Sequence, residues 1–159
     1  MPVQPRTIAY IDGTQMLYRA EFGFPSRIRN RVGHDVTGLF GFLALTRKAL
    51  ATSRTLPTHA FVAFDADAPT YRAGLDRRYR ASRQPPAAGA DHTPFRHIPW
   101  IIRGLHVWGL ACIEHETAEA DDVIASALAR FSTHRDRSIV VSRDKDFHQL
   151  VSSEVSQWD

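Results

Sequence analysis

The chain has 159 residues, 43% hydrophobic and 23% charged, which is enough for one domain with a buried core and too few for two. No apolar run approaches the ~18 residues that span a bilayer, no secretory or transit segment is read ahead of the first strand, and the single cysteine, Cys112, leaves no partner for a disulfide or a thiolate metal cage. A cytoplasmic globular domain with no membrane partner is the expectation, its net charge of +3 being too small to imply a polyanion partner by itself.

Taken in order, Thr7 to Ile11 is a short apolar, β-branched run that ends at Asp12-Gly13, the pattern of a buried strand entering a tight turn. Tyr18, Arg19, Phe22 and Phe24 follow, and residues 25 to 35 carry Arg27, Arg29 and Arg31 without periodicity, so they read as a loop or hairpin. Leu39, Phe40, Phe42, Leu43, Leu45 and Leu50 give helical spacing from about Gly38 to Ser53. His59 to Phe64 is a second apolar strand, and it too ends in an acid, Asp65.

Residues 70 to 103 hold Arg72, Arg77, Arg78, Arg80, Arg83, Arg96 and Arg103 against only Asp76 and Asp91. Guanidinium groups suit bidentate phosphate contacts, and a solvated helix face is the plainer alternative. Tyr71 to Ser82 reads as helical, Pro85 to Gly89 as a break, and Thr93-Pro94 as the cap of a helix running to Gly109 in which Pro99 kinks the axis or resets the start. Ala111 to Ile113 is a weak third strand and Ser138 to Val141 a stronger fourth, while Phe147 to Val151 forms a short helix and Glu154 to Trp158 opens a further strand.

Between the third and fourth strands lies T-A-E-A-D-D, Thr117 to Asp122, opening an amphipathic helix with Thr117 as its expected cap. Two unit charges about 4 Å apart repel by roughly 4 kcal/mol at an effective dielectric of 20, more than the ~0.3 to 1 kcal/mol each acid gains from a helix dipole. Glu119, Asp121 and Asp122 therefore need positive company. Alternating strands and helices imply a mostly parallel sheet with helices on both faces, an α/β fold whose ligands bind at the carboxyl ends of the strands. Asp12, Asp65, the Glu119/Asp121/Asp122 group and the Asp144/Asp146 pair all follow strands at that end. Seven carboxylates converging there, with all-oxygen donors, point to Mg²⁺ or Mn²⁺ rather than zinc.

The segments I-D-G-T-Q-M-L-Y-R-A, F-D-A-D-A-P-T-Y-R, Y-R-A-S-R, E-A-D-D-V-I and S-R-D-K-D-F-H-Q-L-V resemble, in order and over the whole chain, the motifs of the 5'-3' exonuclease domain of bacterial DNA polymerase I and related flap endonucleases. The resemblance implies a resolvase-like, PIN-like fold and cleavage of DNA at 5' ends, nicks and flaps with two divalent ions. It implies metal-site roles for Asp12, Asp65, Glu119, Asp121, Asp122, Asp144 and Asp146, and an arginine-rich helical arch over about residues 69 to 100. Arg80 stands where the family usually has a catalytic arch lysine, and Arg83 matches the arch arginine. Arg19, Arg72, Tyr79, Arg80 and Arg83 are the expected DNA contacts; Tyr18 and Tyr79 could stack on unpaired bases or sit in the core. The family continues into a helix-hairpin-helix region with two more aspartates, which lies outside these 159 residues; three expectations stand side by side, a complete short nuclease, a truncated remnant, or half of a split enzyme in which a second polypeptide supplies the second metal's ligands and the duplex grip.

Three other readings use the same residues. Asp65-Ala-Asp67 after a strand is similar to the first motif of aspartyl phosphatases, but Pro69 occupies its fifth position and Asp12 is left without a role. A nucleic-acid-binding module without catalysis keeps the arginines, as a remnant or as half of a split nuclease. A PIN-like ribonuclease would use the same acids on RNA.

Overall fold

A computed structural model describes residues 5–52, 55–66, 70–75 and 93–159. Its centre is β1 (Thr7–Asp12), every residue of which is buried. A six-residue run with no polar face can be satisfied only inside a sheet covered on both sides. β1 pairs in parallel with β2 (His59–Phe64) on one edge and with β4 (Arg137–Val141) on the other. β3 (Ala111–Glu114) and β5 (Val155–Trp158) complete an all-parallel sheet in the order β3-β2-β1-β4-β5. The chain winds outward from β1 through β2 to β3, then returns to the other side for β4 and β5, so winding reverses between β1 and β4.

Alternation along the strands feeds two cores. Ile11, Val62, Phe64, Ile139 and Val141 face α1 (Gly13–Phe22), α2 (Thr37–Thr52) and α4 (Ile98–Val107), with Phe42 stacked on Phe64 at 5.8 Å between ring centres. Ile8, Tyr10, Ala63 and Val140 face α5 (Ala120–Phe131) and Phe147 of the 3₁₀ turn Lys145–Leu150. Each fully buried aliphatic or aromatic side chain contributes roughly 1.5 to 3 kcal/mol, so the two cores clamp the sheet from both faces as the alternating pattern implies.

Helix α1 is absent from the expected elements. Its signal is present all the same: Asp12 and Gln15 are spaced as N-cap and N3, and Met16, Leu17 and Ala20 form its buried stripe. Because Asp12 ends β1 and caps α1 at once, no turn residues separate strand from helix. Residues 25 to 35 form the expected hairpin-like loop, closed by an antiparallel bridge between Arg29 and Asp35. Helix α3 covers Tyr71–Leu75, and the rest of the helix expected to Ser82 lies outside the described residues. Pro99 resets a helix start, since the 3₁₀ turn Pro94–His97 precedes α4 and Pro99 occupies its first turn.

Thr117 does not cap α5. The residue before the helix is Glu119, its side chain makes no cap bond, and the Thr117 carbonyl instead accepts from the Tyr71 backbone N–H at 2.8 Å. On the opposite rim, Arg6 locks β1 to β4: its Nη2 lies 2.7 Å from Asp136 Oδ2, its Nε 3.1 Å from Oδ1, and Nη2 also donates to the Phe131 carbonyl at the end of α5. Among the described residues, no helix is long and apolar enough to cross a membrane.

Candidate active site

The site lies where the winding reverses, at the carboxyl ends of β1 and β4, where an open α/β sheet leaves a crevice. Asp12 is 6% exposed. Its Oδ1 accepts the Gln15 backbone N–H at 3.0 Å, and its Oδ2 accepts the Ser142 hydroxyl at 2.9 Å across the seam from β4. Burial pushes the Asp12 carboxyl up to about 6; those two hydrogen bonds pull it down, and the charges of Asp65 and Asp144 raise it further. Asp12, Asp65 and Asp144, separated by up to 132 positions in the sequence, thus share one field. The following residue has no room for a side chain, because a Cβ on Gly13 would lie 2.7 Å from Phe64 Cε1 and 2.8 Å from the Ala63 carbonyl.

Asp65 supplies the cap that Thr117 does not. Its Oδ1 accepts the Ala120 backbone N–H at 2.8 Å, meeting the first free N–H of α5 from a different strand, while its own N–H donates to Thr14 Oγ1 at 2.8 Å. With the helix end satisfied, Glu119 turns inward: it is buried, and its Oε1 accepts the Thr70 hydroxyl at 3.0 Å.

Asp121 and Asp122 sit in the first turn of α5, and the Asp122 N–H donates to Asp121 Oδ1 at 2.8 Å. Arg72 of α3 reaches all three acids of this group: Nη2 is 2.6 Å from Asp122 Oδ1 and 3.1 Å from Asp121 Oδ2, and Nη1 is 3.6 Å from Glu119 Oε2. The Tyr71 hydroxyl donates to Asp122 Oδ1 at 3.1 Å. Burial pushes the Asp121 carboxyl up, and Arg72 opposes the shift. Asp122 Oδ2 is buried with no hydrogen-bond partner among the described residues, an open lone-pair position that a cation would satisfy.

Asp144 is exposed at the start of the 3₁₀ turn, its N–H donating to Ser142 Oγ at 3.1 Å and its Oδ1 accepting the Asp146 N–H at 2.9 Å. Gln157 of β5 holds this turn by donating to the Ser142 and Asp144 carbonyls at 2.7 and 2.8 Å. Asp146 is exposed beside it.

The seven expected acids therefore fall into an arrangement that composition could not specify. Asp65 and Asp144 act on Asp12 through their charge; Glu119, Asp121 and Asp122 gather on Arg72; Asp146 lies at the rim. Among the described residues, no three His, Cys, Asp or Glu side chains already stand close enough to grip one metal ion. The donors, all carboxylate oxygens with one buried and unpartnered, have the chemistry of a hard divalent cation site.

Of the expected DNA contacts, Arg72 faces inward to the acids, and Arg19 is ion-paired with Asp159 at 3.3 Å, an acid that Arg143 also holds. Tyr79, Arg80 and Arg83 lie outside the described residues. Tyr18 is on the surface rather than in the core, stacked with Phe22 and edge-on to Phe95. Sequence reasoning did not single out Thr14, Thr70, Tyr71 or Ser142, each of which orients an acid or its backbone. Their signal was position alone, one hydroxyl within a few residues of each strand-end carboxylate.

A family model described as the 5'-3' exonuclease N-terminal resolvase-like domain matches residues 7–159. DNA polymerase I of Rhizobium leguminosarum is 33% identical over 157 residues, covering 94% of this chain and 15% of that protein. The flap endonuclease Xni of Shewanella woodyi is 31% identical over 154 residues, covering 96% of this chain and 56% of that protein. Among solved structures, a T5 protein co-crystallised with metal ions superposes with a TM-score of 0.75 at 16% identity, over 96% of this chain and 55% of that one. The chain thus spans about half the length of such a nuclease and a small part of the polymerases. With the five-stranded parallel sheet, the acids at its carboxyl edge and a match over almost the whole length, the chain belongs to the 5'-3' exonuclease N-terminal, resolvase-like domain family.

Proposed function

We propose that this domain carries the catalytic acids of a divalent-metal-dependent 5'-3' exonuclease or flap endonuclease acting on DNA. The observation that carries the reading is the Ser142 hydroxyl, which joins Asp12 to the Asp144 backbone at the winding reversal, where the charges of Asp65 and Asp144 act on Asp12 beside the carboxylates of α5. The coarser support is that relatives are named as flap endonuclease and DNA polymerase, and that a structural neighbour was crystallised with metal ions.

Mg²⁺ or Mn²⁺, two ions in the full reading, would neutralise the scissile phosphate and lower the pKa of an attacking water, so that no protein nucleophile is required. The residues that would hold them are Asp12, Asp65, Glu119, Asp121, Asp122, Asp144 and Asp146. Around those acids the chain positions rather than reacts. Ser142 fixes Asp12 and the Asp144 backbone, Thr14 and the α5 N-terminus fix Asp65, and Thr70 fixes Glu119. Arg80 and Arg83, in the arginine-rich segment, are assigned to the phosphate backbone, and Tyr18 offers an exposed ring to an unpaired base.

A 5'-labelled flap incubated with Mn²⁺ should yield a shortened product that disappears in EDTA. Asp122→Asn should remove at least a hundredfold of that rate while DNA affinity is retained. Undiminished cleavage by Asp122→Asn sinks the assignment, and salt-dependent binding with no metal-dependent product at any protein concentration establishes the binding-only role instead.

A further inference from the structure

Three carboxylates stand at the start of α5, and among the described residues the guanidinium that meets them belongs to Arg72, 47 to 50 positions away on a five-residue helix. Its placement is supported from the backbone, because the Tyr71 N–H is fixed to the Thr117 carbonyl just ahead of the acids. Glu119 is fully buried, the side chains of Asp121 and Asp122 are only about a quarter exposed or less, and Arg72 is 29% exposed.

The guanidinium takes the Asp122 oxygen that is paired and leaves its neighbour, Oδ2, buried without a partner among the described residues. A fork of N–H groups and a small hard cation recognise the same oxygens by incompatible means. A divalent ion needs lone pairs within about 2.0 to 2.6 Å, and an arginine engaging Glu119, Asp121 and Asp122 from within their group holds them about itself. That accounts for carboxylates which converge and yet, among the described residues, form no ready cage for a metal.

We propose that Arg72 is an internal counter-ion that stands in for a divalent metal at the α5 carboxylates and competes with it. Metal loading displaces the guanidinium from Asp121 and Asp122, and by reciprocity the ion pairs of Arg72 weaken metal affinity by the same factor. Once released, the guanidinium is at the lip of the site with its charge available to a phosphate oxygen, so an expected DNA contact and an observed inward ion pair become two positions of one side chain. This deepens the proposed function and rests on its metal site, but the competition itself is read without any nuclease assay.

The test is Mn²⁺ binding by calorimetry, with melting temperature measured without and with saturating Mn²⁺, on the whole chain and on Arg72→Gln, Arg72→Lys and Asp122→Asn. Arg72→Gln should bind Mn²⁺ about tenfold more tightly, melt lower than wild type without metal, and gain more on saturation; Arg72→Lys, which keeps the charge without the fork, should fall between and carries the test if the glutamine variant does not fold. Equal or weaker Mn²⁺ affinity in the Arg72 variants, with the same thermal gain as wild type, overturns the competition and leaves Arg72 as a scaffold for the acids. No Mn²⁺ binding by any variant, or wild-type binding by Asp122→Asn, instead removes the metal site and the proposed function with it.

Discussion

Ser142 shows how much of this site is decided by atoms that carry no charge. Its hydroxyl donates to Asp12 Oδ2 and accepts from the Asp144 N–H, so one oxygen fixes two acids from opposite sides of the winding reversal. In Ser142→Ala the Asp12 carboxylate loses a bond that favours its ionised form, and stability should fall by roughly 1 to 2 kcal/mol. Partners that orient ligands typically change metal affinity by about 10- to 100-fold, so Mn²⁺ affinity should drop by about tenfold in calorimetry; an unchanged value would show that Asp12 is held adequately by Gln15 alone. The acids themselves were legible in the sequence, since an apolar strand that stops at a carboxylate is a pattern that repeats at Asp12 and Asp65. Their partners were not, because Ser142 looks like any strand-end serine until β4 lies beside β1. Arg72 was legible as a cation and illegible as to target, since charge pairing is settled through space.

Helices and strands here are tied at their ends by groups from distant elements, and that is why their boundaries were hard to foresee; α1, directly joined to β1 through Asp12, was missed outright. Thr117 has the right chemistry to cap α5, yet Asp65 reaches the helix first from β2. A second tie joins the end of α1 to the loop before α2 and to the 3₁₀ turn before α4: buried Glu21 accepts from Arg27 at 2.6 Å and from Arg96 at 3.1 Å, Arg96 also reaches Asp35 at 3.3 Å, and His97 lies against Glu21 Oε2. Burial lowers the His97 pKa, with the Arg96 charge adding to it, so the imidazole is neutral within this network at neutral pH. Gly38 gives that cluster its space, because a Cβ there would lie 2.5 Å from both Glu21 Oε2 and His97 Cδ2. Gly38→Ala should therefore destabilise by about 1 to 3 kcal/mol, the usual cost of overpacking, and an unaltered denaturation midpoint would mean the cluster yields freely.

The Arg6 clamp on Asp136 gives a pH signature at the same scale. Hydrogen bonding to Arg6 and to the Thr133 N–H holds the Asp136 carboxyl below the ordinary carboxylate range. A depressed pKa stabilises the fold above the unfolded value of about 3.8, and the contribution disappears as pH falls through the lower folded value. Asp136→Asn should melt below wild type at neutral pH, with the gap closing steadily in acid; a gap that stays constant down to pH 2 would assign the effect to packing.

For the molecule as a whole, alternation of strands and helices was enough to foresee a parallel α/β sheet with both faces covered. The order β3-β2-β1-β4-β5 was not foreseeable that way, because pattern does not say on which side of β1 the chain will return. Charge acts at this scale too. Guanidinium groups dominate the cations, with only Lys48 and Lys145 as lysines, and DNA affinity should fall linearly with the logarithm of salt concentration. Replacing Arg80 and Arg83 together with alanine should weaken binding and flatten that slope by about 2, near 0.9 for each lost phosphate contact on duplex DNA; a slope equal to wild type would return both arginines to a solvated face.

The hydrogen bond from Ser142 to Asp12 spans 130 positions of the chain. During synthesis, Asp12, Asp65 and the acids up to Asp122 all leave the ribosome before β4 exists to complete the floor on which they are mounted. The anchoring of Asp12 is thereby deferred until the segment after β4 has emerged, and a polypeptide ending before residue 137 would carry Asp12, Asp65, Glu119, Asp121 and Asp122 without the hydroxyl that holds the first of them.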